Sequence, residues 1–179
     1  MMQRQLKRFE VVTIGPEALP LLVMADNLFS LFGAGIRIHT QGYYNHAMWM
    51  HRCGTFASQD LFYHEVPVWK YLKTHRLKFW RNPAWTATQK SMVREEIVAK
   101  LHLPWYRRFY DFKGILGQWL RKPSFNWDWW DYCSEDAAEK LALVETTFDL
   151  KHPSPADIDR WCKGQPQMEV FGVHDPDTA

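Results

Sequence analysis

A cysteine at the head of an alanine-rich helical pattern, with a histidine in a strand pattern far upstream, constrains this chain more than any other feature. Asp131-Tyr132-Cys133-Ser134-Glu135 opens a helix predicted over Cys133 to Val144. Ala137, Ala138, Leu141 and Val144 fall on one face of it, and Glu135 and Asp136 occupy its first turn. Small residues on that face let the helix lie close to a sheet. The free N–H groups at its start favour negative charge on the thiol. Tyr43-Tyr44-Asn45-His46-Ala47 begins a strand pattern, and small Ala47 lets another element approach His46. An imidazole beside such a thiol can take its proton and return it to a leaving group.

The remaining punctuation predicts a mixed fold. Leu28 to His39 reads as a short helix weakened by Gly33 and Gly35. Tyr43 to His51 and Thr55 to Gln59 read as two strands joined by Arg52-Cys53-Gly54, with the glycine that a hairpin wants. Pro67 opens a helical segment over Val68 to Lys73, and Leu77-Lys78-Phe79-Trp80 alternates as a strand. Thr86 to Leu101 is a capped helix with Val93, Ile97 and Leu101 at fourfold spacing. Phe112 to Leu120 reads as a shorter helix. Ser154-Pro155-Ala156-Asp157 starts another that runs to about Cys162, and past Val173 the tail is polar. Helices flanking a small antiparallel sheet define an α+β class.

With 179 residues and no visible linker or repeat, the chain reads as a single domain over 1–179. The longest apolar stretch, Ala18 to Ala25, contains Pro20 and is too short to span a bilayer. Glu10 and Val11 stand where a signal peptide needs its apolar core, so the expectation is a protein cytoplasmic at synthesis. Three cysteines make no disulfide framework and point to a reducing compartment. Lys70 to Arg81 and Arg107-Arg108 alternate with Trp69, Trp80, Trp105 and Tyr106, an interleaving that can bind single-stranded nucleic acid. Amphipathic side chains covering an aromatic core give the same pattern. A net charge of +2 adds no argument for a polyanion, so no nucleic-acid partner is expected.

His39, His46, His51, His64 and Cys53 are close in sequence, but they lack the paired spacing of a zinc site. No phosphate-binding glycine loop or dinucleotide fingerprint is present either, so neither metal nor cofactor is expected. Cys53 sits in a turn and Cys162 late in a helix, and neither is placed like a nucleophile.

Histidine before cysteine, each with these neighbours, reverses the order in papain. It resembles the permuted papain-like hydrolases, the YiiX-like branch of the NlpC superfamily. Tyr44-Asn45-His46-Ala47 is similar to that family's histidine strand. Phe29-Ser30 through Thr40-Gln41-Gly42, Pro67 to Leu72, Tyr110 to Gly114 with Gly117, and Ser154 to Asp157 resemble its other segments, so the likeness spans about residues 23–160. Ala25-Asp26 stands where the family commonly has Gly-Asp. The resemblance implies a papain-like (permuted NlpC-type) domain whose small antiparallel sheet packs against the nucleophile helix. It implies a thiol-dependent hydrolase cleaving an amide bond through an acyl-enzyme, with Cys133 as nucleophile and His46 as base. The implied partner is a peptide or amide substrate, most often peptidoglycan, reached by a bacterial or phage-borne enzyme. Lipid ester hydrolysis or acyl transfer on the same fold, and an inactive binding module, are the alternatives.

A base of this kind needs a third group to orient its ring. The family takes it from the next strand, often as glutamate, and Thr55-Phe56-Ala57-Ser58-Gln59 carries no acid there. A hairpin centred on Cys53 sets His46 across from about Gln59 or Asp60. Gln59, through its amide oxygen, is the expected third residue, with Ser58 as runner-up and Asp60 as the other substitute.

Overall fold

A computed structural model describes residues 14–27, 42–109 and 133–176. The helices predicted over Leu28 to His39 and Phe112 to Leu120 lie outside the described residues. In chain order, the structure contains β1 (Leu21–Asn27), β2 (His46–Arg52), β3 (Thr55–Gln59) and β4 (Tyr63–Pro67). One helical turn, α1 (Trp69–Leu72), leads to β5 (His75–Arg81). Then come α2 (Ala87–Leu101), α3 (Cys133–Ala142), α4 (Pro155–Gly164) and β6 (Glu169–His174).

The strands form one six-stranded antiparallel sheet in the order β4-β3-β2-β1-β5-β6. The class is therefore α+β, with a larger sheet than the small one expected. Three strands were not legible as strands in the sequence. β1 is central, and its residues Leu21 to Ala25 are all buried. A strand covered on both faces loses the apolar–polar alternation that marks a half-buried one. β4 begins right after a three-residue connection and ends in a proline, and β6 lies just before the polar tail and takes in only its first residue, His174. β5 extends beyond Leu77–Trp80 at both ends, and α3 stops at Ala142.

The sheet separates two apolar layers. Leu22, Met24, Ala47, Trp49, Ala57, Tyr63 and Trp80 form one layer with Val93 and Ile97 of α2, Ala137 and Leu141 of α3, and Ile158 and Cys162 of α4. Leu21, Val23, Ala25, Met48, Met50, Phe56, Leu77 and Phe79 form the other with Ile14, Ala18, Leu19, Val68 and Tyr71. α2 is held at its start by a reciprocal cap between Thr86 and Gln89, and α4 by one between Ser154 and Asp157 with Pro155 in its first turn. No helix among the described residues is long and apolar enough to cross a membrane.

The α3 helix lies on β2, the contact that positions the site. Ala47 on the strand and Ala137 and Ala138 on the helix are all buried in the layer between them. One turn into α3, the Asp136 carboxylate accepts from Lys100 at 2.7 Å and from Lys140 at 2.5 Å. Both ammonium groups also lie over the Tyr63 ring, at 4.9 and 5.2 Å from its centroid. Burial alone would raise the Asp136 pKa, but the two lysines outweigh it and hold the carboxyl below its ordinary range.

Candidate active site

His46 is the first residue of β2, and Cys133 is the first residue of α3. The packing of α3 on β2 brings the two together. The Cys133 thiol is hydrogen-bonded to the His46 imidazole, and both groups are largely buried. Burial by itself pulls the imidazole pKa down. The charge and hydrogen bond of Cys133 and the nearby carboxylates of Asp60 and Asp136 reverse that, and the net result is a rise to about 9. The imidazolium form is thus favoured by Cys133 and by two carboxylates.

The strand start that carries His46 is itself pinned. Asn45 donates its side-chain N–H to Asp26 Oδ1 at 3.1 Å and accepts from the backbone N–H of Asn27 at 3.3 Å. Its own backbone N–H reaches the Ala25 carbonyl at 3.1 Å. Asp26 and Asn45 are both buried, so the end of β1 and the beginning of β2 are fastened side by side. His46 pairs with Ala25 in this register.

The β2–β3 hairpin turns at Cys53-Gly54, where Gly54 adopts φ +74. This left-handed conformation is one that glycine adopts without steric cost. Met48 pairs with Ser58, so continuing that register sets His46 opposite Asp60. His46 Nε2 lies 2.7 Å from Ser58 Oγ and 3.3 Å from Asp60 Oδ1. Ser58 Oγ in turn donates to Asp60 Oδ1 at 3.0 Å. The ring nitrogen, the serine hydroxyl and the carboxylate thus form a short polar chain.

Gln59, the expected third residue, is not part of this chain. Successive residues of a strand point to opposite faces, so Ser58 and Asp60 share the face of His46 while Gln59 points to the other. Its amide Nε2 donates to the Arg108 carbonyl at 3.1 Å. The structure therefore brings the runner-up Ser58 and the substitute Asp60 to His46 in its place. The two-residue periodicity puts Gln59 and Asp60 on opposite faces, and the register decides which of them meets His46.

Tyr71 was not singled out by the sequence. From α1 its hydroxyl reaches Asp60 at 3.2 and 3.3 Å, and it lies 3.2 Å from Ser58 Oγ. Next to it stands His75, whose pKa falls to about 4 through burial and the charge of His46, so His75 is neutral beside the cationic ring. His64 Nε2 approaches Asp60 from outside, at 3.8 Å.

The other two cysteines have different surroundings. Cys53 is exposed in the hairpin turn, and its sulfur donates to the Ile14 carbonyl at 3.3 Å. Cys162 is fully buried in α4, where burial and the charge of Asp159 push its thiol pKa up. His51 is engaged elsewhere, 2.9 Å from Glu65. Among the described residues, no group of three or more His, Cys, Asp or Glu side chains is placed to hold a metal ion.

Comparison of the chain with family models, with curated proteins and with solved structures finds no match. A thiol at a helix start, an imidazole bonded to it and a polar pair on the imidazole's Nε2 are the elements of a nucleophile, a base and an orienting group.

Proposed function

We propose that this protein is a thiol-dependent hydrolase of the permuted papain-like kind, cleaving an amide bond through an acyl-enzyme on Cys133. The reading is carried by one observation: the Cys133 thiol, at the head of a helix, is hydrogen-bonded to an imidazole whose pKa rises to about 9. Coupling of this kind is mutual, so a thiolate that favours the imidazolium is itself favoured by it. The helix N-terminus acts in the same direction.

In this mechanism the sulfur anion attacks the carbonyl carbon and the C–N bond breaks. The His46 imidazolium gives its proton to the departing nitrogen. Water, deprotonated by the now neutral imidazole, then releases the acyl group and restores the thiol–imidazole pair. His46 Nε2 is occupied by Ser58 and Asp60, which leaves Nδ1 for the thiol and for proton transfer. The imidazolium that recurs in the cycle is stabilised by Asp60. The backbone N–H of Cys133 serves as one donor to the developing oxyanion. Cell-wall peptides are the substrate class favoured by the resemblance in the histidine and cysteine motifs.

Incubation with peptidoglycan fragments, followed by mass spectrometry, tests this reading. Wild type should release products of amide cleavage and carry a transient acyl adduct on Cys133, and neither Cys133→Ala nor His46→Ala should do so. A wild-type protein whose Cys133 reacts with alkylating agents no faster than Cys53 would sink the proposal. An ester-linked acyl substrate is a second reading, favoured by Leu61 and Phe62, which follow Asp60 directly and are both exposed. Release of fatty acid from a phospholipid, with peptide fragments left intact, would select it.

A further inference from the structure

Tyr71 contacts both members of the polar pair on the His46 Nε2. Its hydroxyl donates to Asp60 and touches Ser58, and its ring lies nearly parallel to the imidazole, with 6° between the planes and 6.5 Å between centroids. Phe56 packs edge-on against it at 5.5 Å, and the His75 ring lies 4.5 Å away. Burial and the charge of Asp60 push its pKa up, so the phenol is a donor across the working pH range.

Asp60 is placed very differently. Its side chain is 42% exposed, and it follows the last residue of β3. A carboxylate there can turn to water or towards His64, 3.8 Å away, as well as towards the base. A buried donor, 6% exposed and locked by aromatic contacts, removes that freedom. We propose that Tyr71 is a positioning residue for the base: its hydroxyl anchors Asp60, and Ser58 with it, against the His46 ring. The inference rests on the reading of His46 as the base and deepens it by naming what holds the orienting carboxylate in place.

The charged and titratable groups facing His46 among the described residues are Cys133 and Asp136 from α3 and Asp60 from the end of β3, with His75 of β5 beyond Tyr71. This environment gives the proposal a definite sign. Removing the phenol hydroxyl would make Asp60 a less stabilised and hence stronger partner if the carboxylate stayed in place, and the His46 pKa would rise. If the hydroxyl is what keeps Asp60 there, the carboxylate drifts away and the His46 pKa falls.

The test is an NMR titration of the His46 ring in the full-length wild type, Tyr71→Phe, Asp60→Asn and the double variant. Phenylalanine keeps the ring and its aromatic contacts and deletes only the hydroxyl. Tyr71→Phe should lower the His46 midpoint from about 9 by about one unit, and Asp60→Asn by at least as much. The double variant should match Asp60→Asn, because the two residues act through one contact. A midpoint that is unchanged or higher in Tyr71→Phe, or two additive shifts, would overturn the proposal. Alkylation of Cys133 in wild type separates the two ideas. A sluggish thiol together with the predicted titration shifts removes the hydrolase reading and leaves the positioning role standing.

Discussion

The Cys133 thiol and the His46 imidazole, at the first residues of a helix and a strand far apart in sequence, are hydrogen-bonded to each other. Because α3 lies on β2, the two element starts meet at one end of the sheet. Asn45 and Asp26 fasten the strand side of this junction.

Thiol reactivity should follow from that contact. Limiting iodoacetamide near pH 6 should label Cys133 ahead of exposed Cys53, and Cys162 should resist because it is buried with its thiol held protonated. Mass spectrometry of the digest checks the order.

The imidazole pKa should depend on the sulfur. Burial opposes the charged ring, and Cys133 supplies the leading contribution that reverses it. In Cys133→Ala the His46 midpoint should therefore drop well below about 9, an outcome that NMR titration reads directly. The stability consequence has a fixed sign. A histidine raised from 6.5 to about 9 contributes stability fully present below pH 6.5 and lost as pH rises through about 9. Urea melts of wild type against His46→Gln should show that advantage shrinking across this window.

Ser58 and Asp60, not Gln59, should govern the base. Ser58→Ala or Asp60→Asn should slow Cys133 alkylation at pH 6 about tenfold each, the loss of one hydrogen bond to a charged group. Gln59→Ala should alter stability instead, by about 1 kcal/mol, since it gives up the bond to the Arg108 carbonyl. A slower thiol in Gln59→Ala than in Asp60→Asn would reverse this assignment.

Asp136 should be a sensitive ionic position. Asp136→Ala leaves the Lys100 and Lys140 ammonium groups buried without their carboxylate, at a cost of about 3–5 kcal/mol in urea denaturation. Its pKa is held below 3.8, so its contribution is present above that pH and disappears as pH falls through the lowered value. Acid unfolding of wild type should consequently begin below pH 3.8 where this site dominates.

Local signals in the sequence determined the ends of two helices and the turn of the β2–β3 hairpin. Thr86, Ser154-Pro155-x-Asp157 and Cys53-Gly54 act through backbone groups a few residues away; of Thr86 and Thr88, both able to cap, Thr86 does so, and the other two form the helix start and turn expected. The same local logic set Cys133 at a helix start, whereas the strand read from Tyr43 begins only at His46. Tertiary structure decided the rest. β1 became a central strand because neighbours cover both of its faces, which erases any alternation in its own residues. Ser58 and Asp60 met His46, and Gln59 did not, because a strand register that is uncertain by one residue reverses every side chain. Tyr71 joined them only because α1 folds back over the hairpin, a contact that no spacing within the sequence encodes.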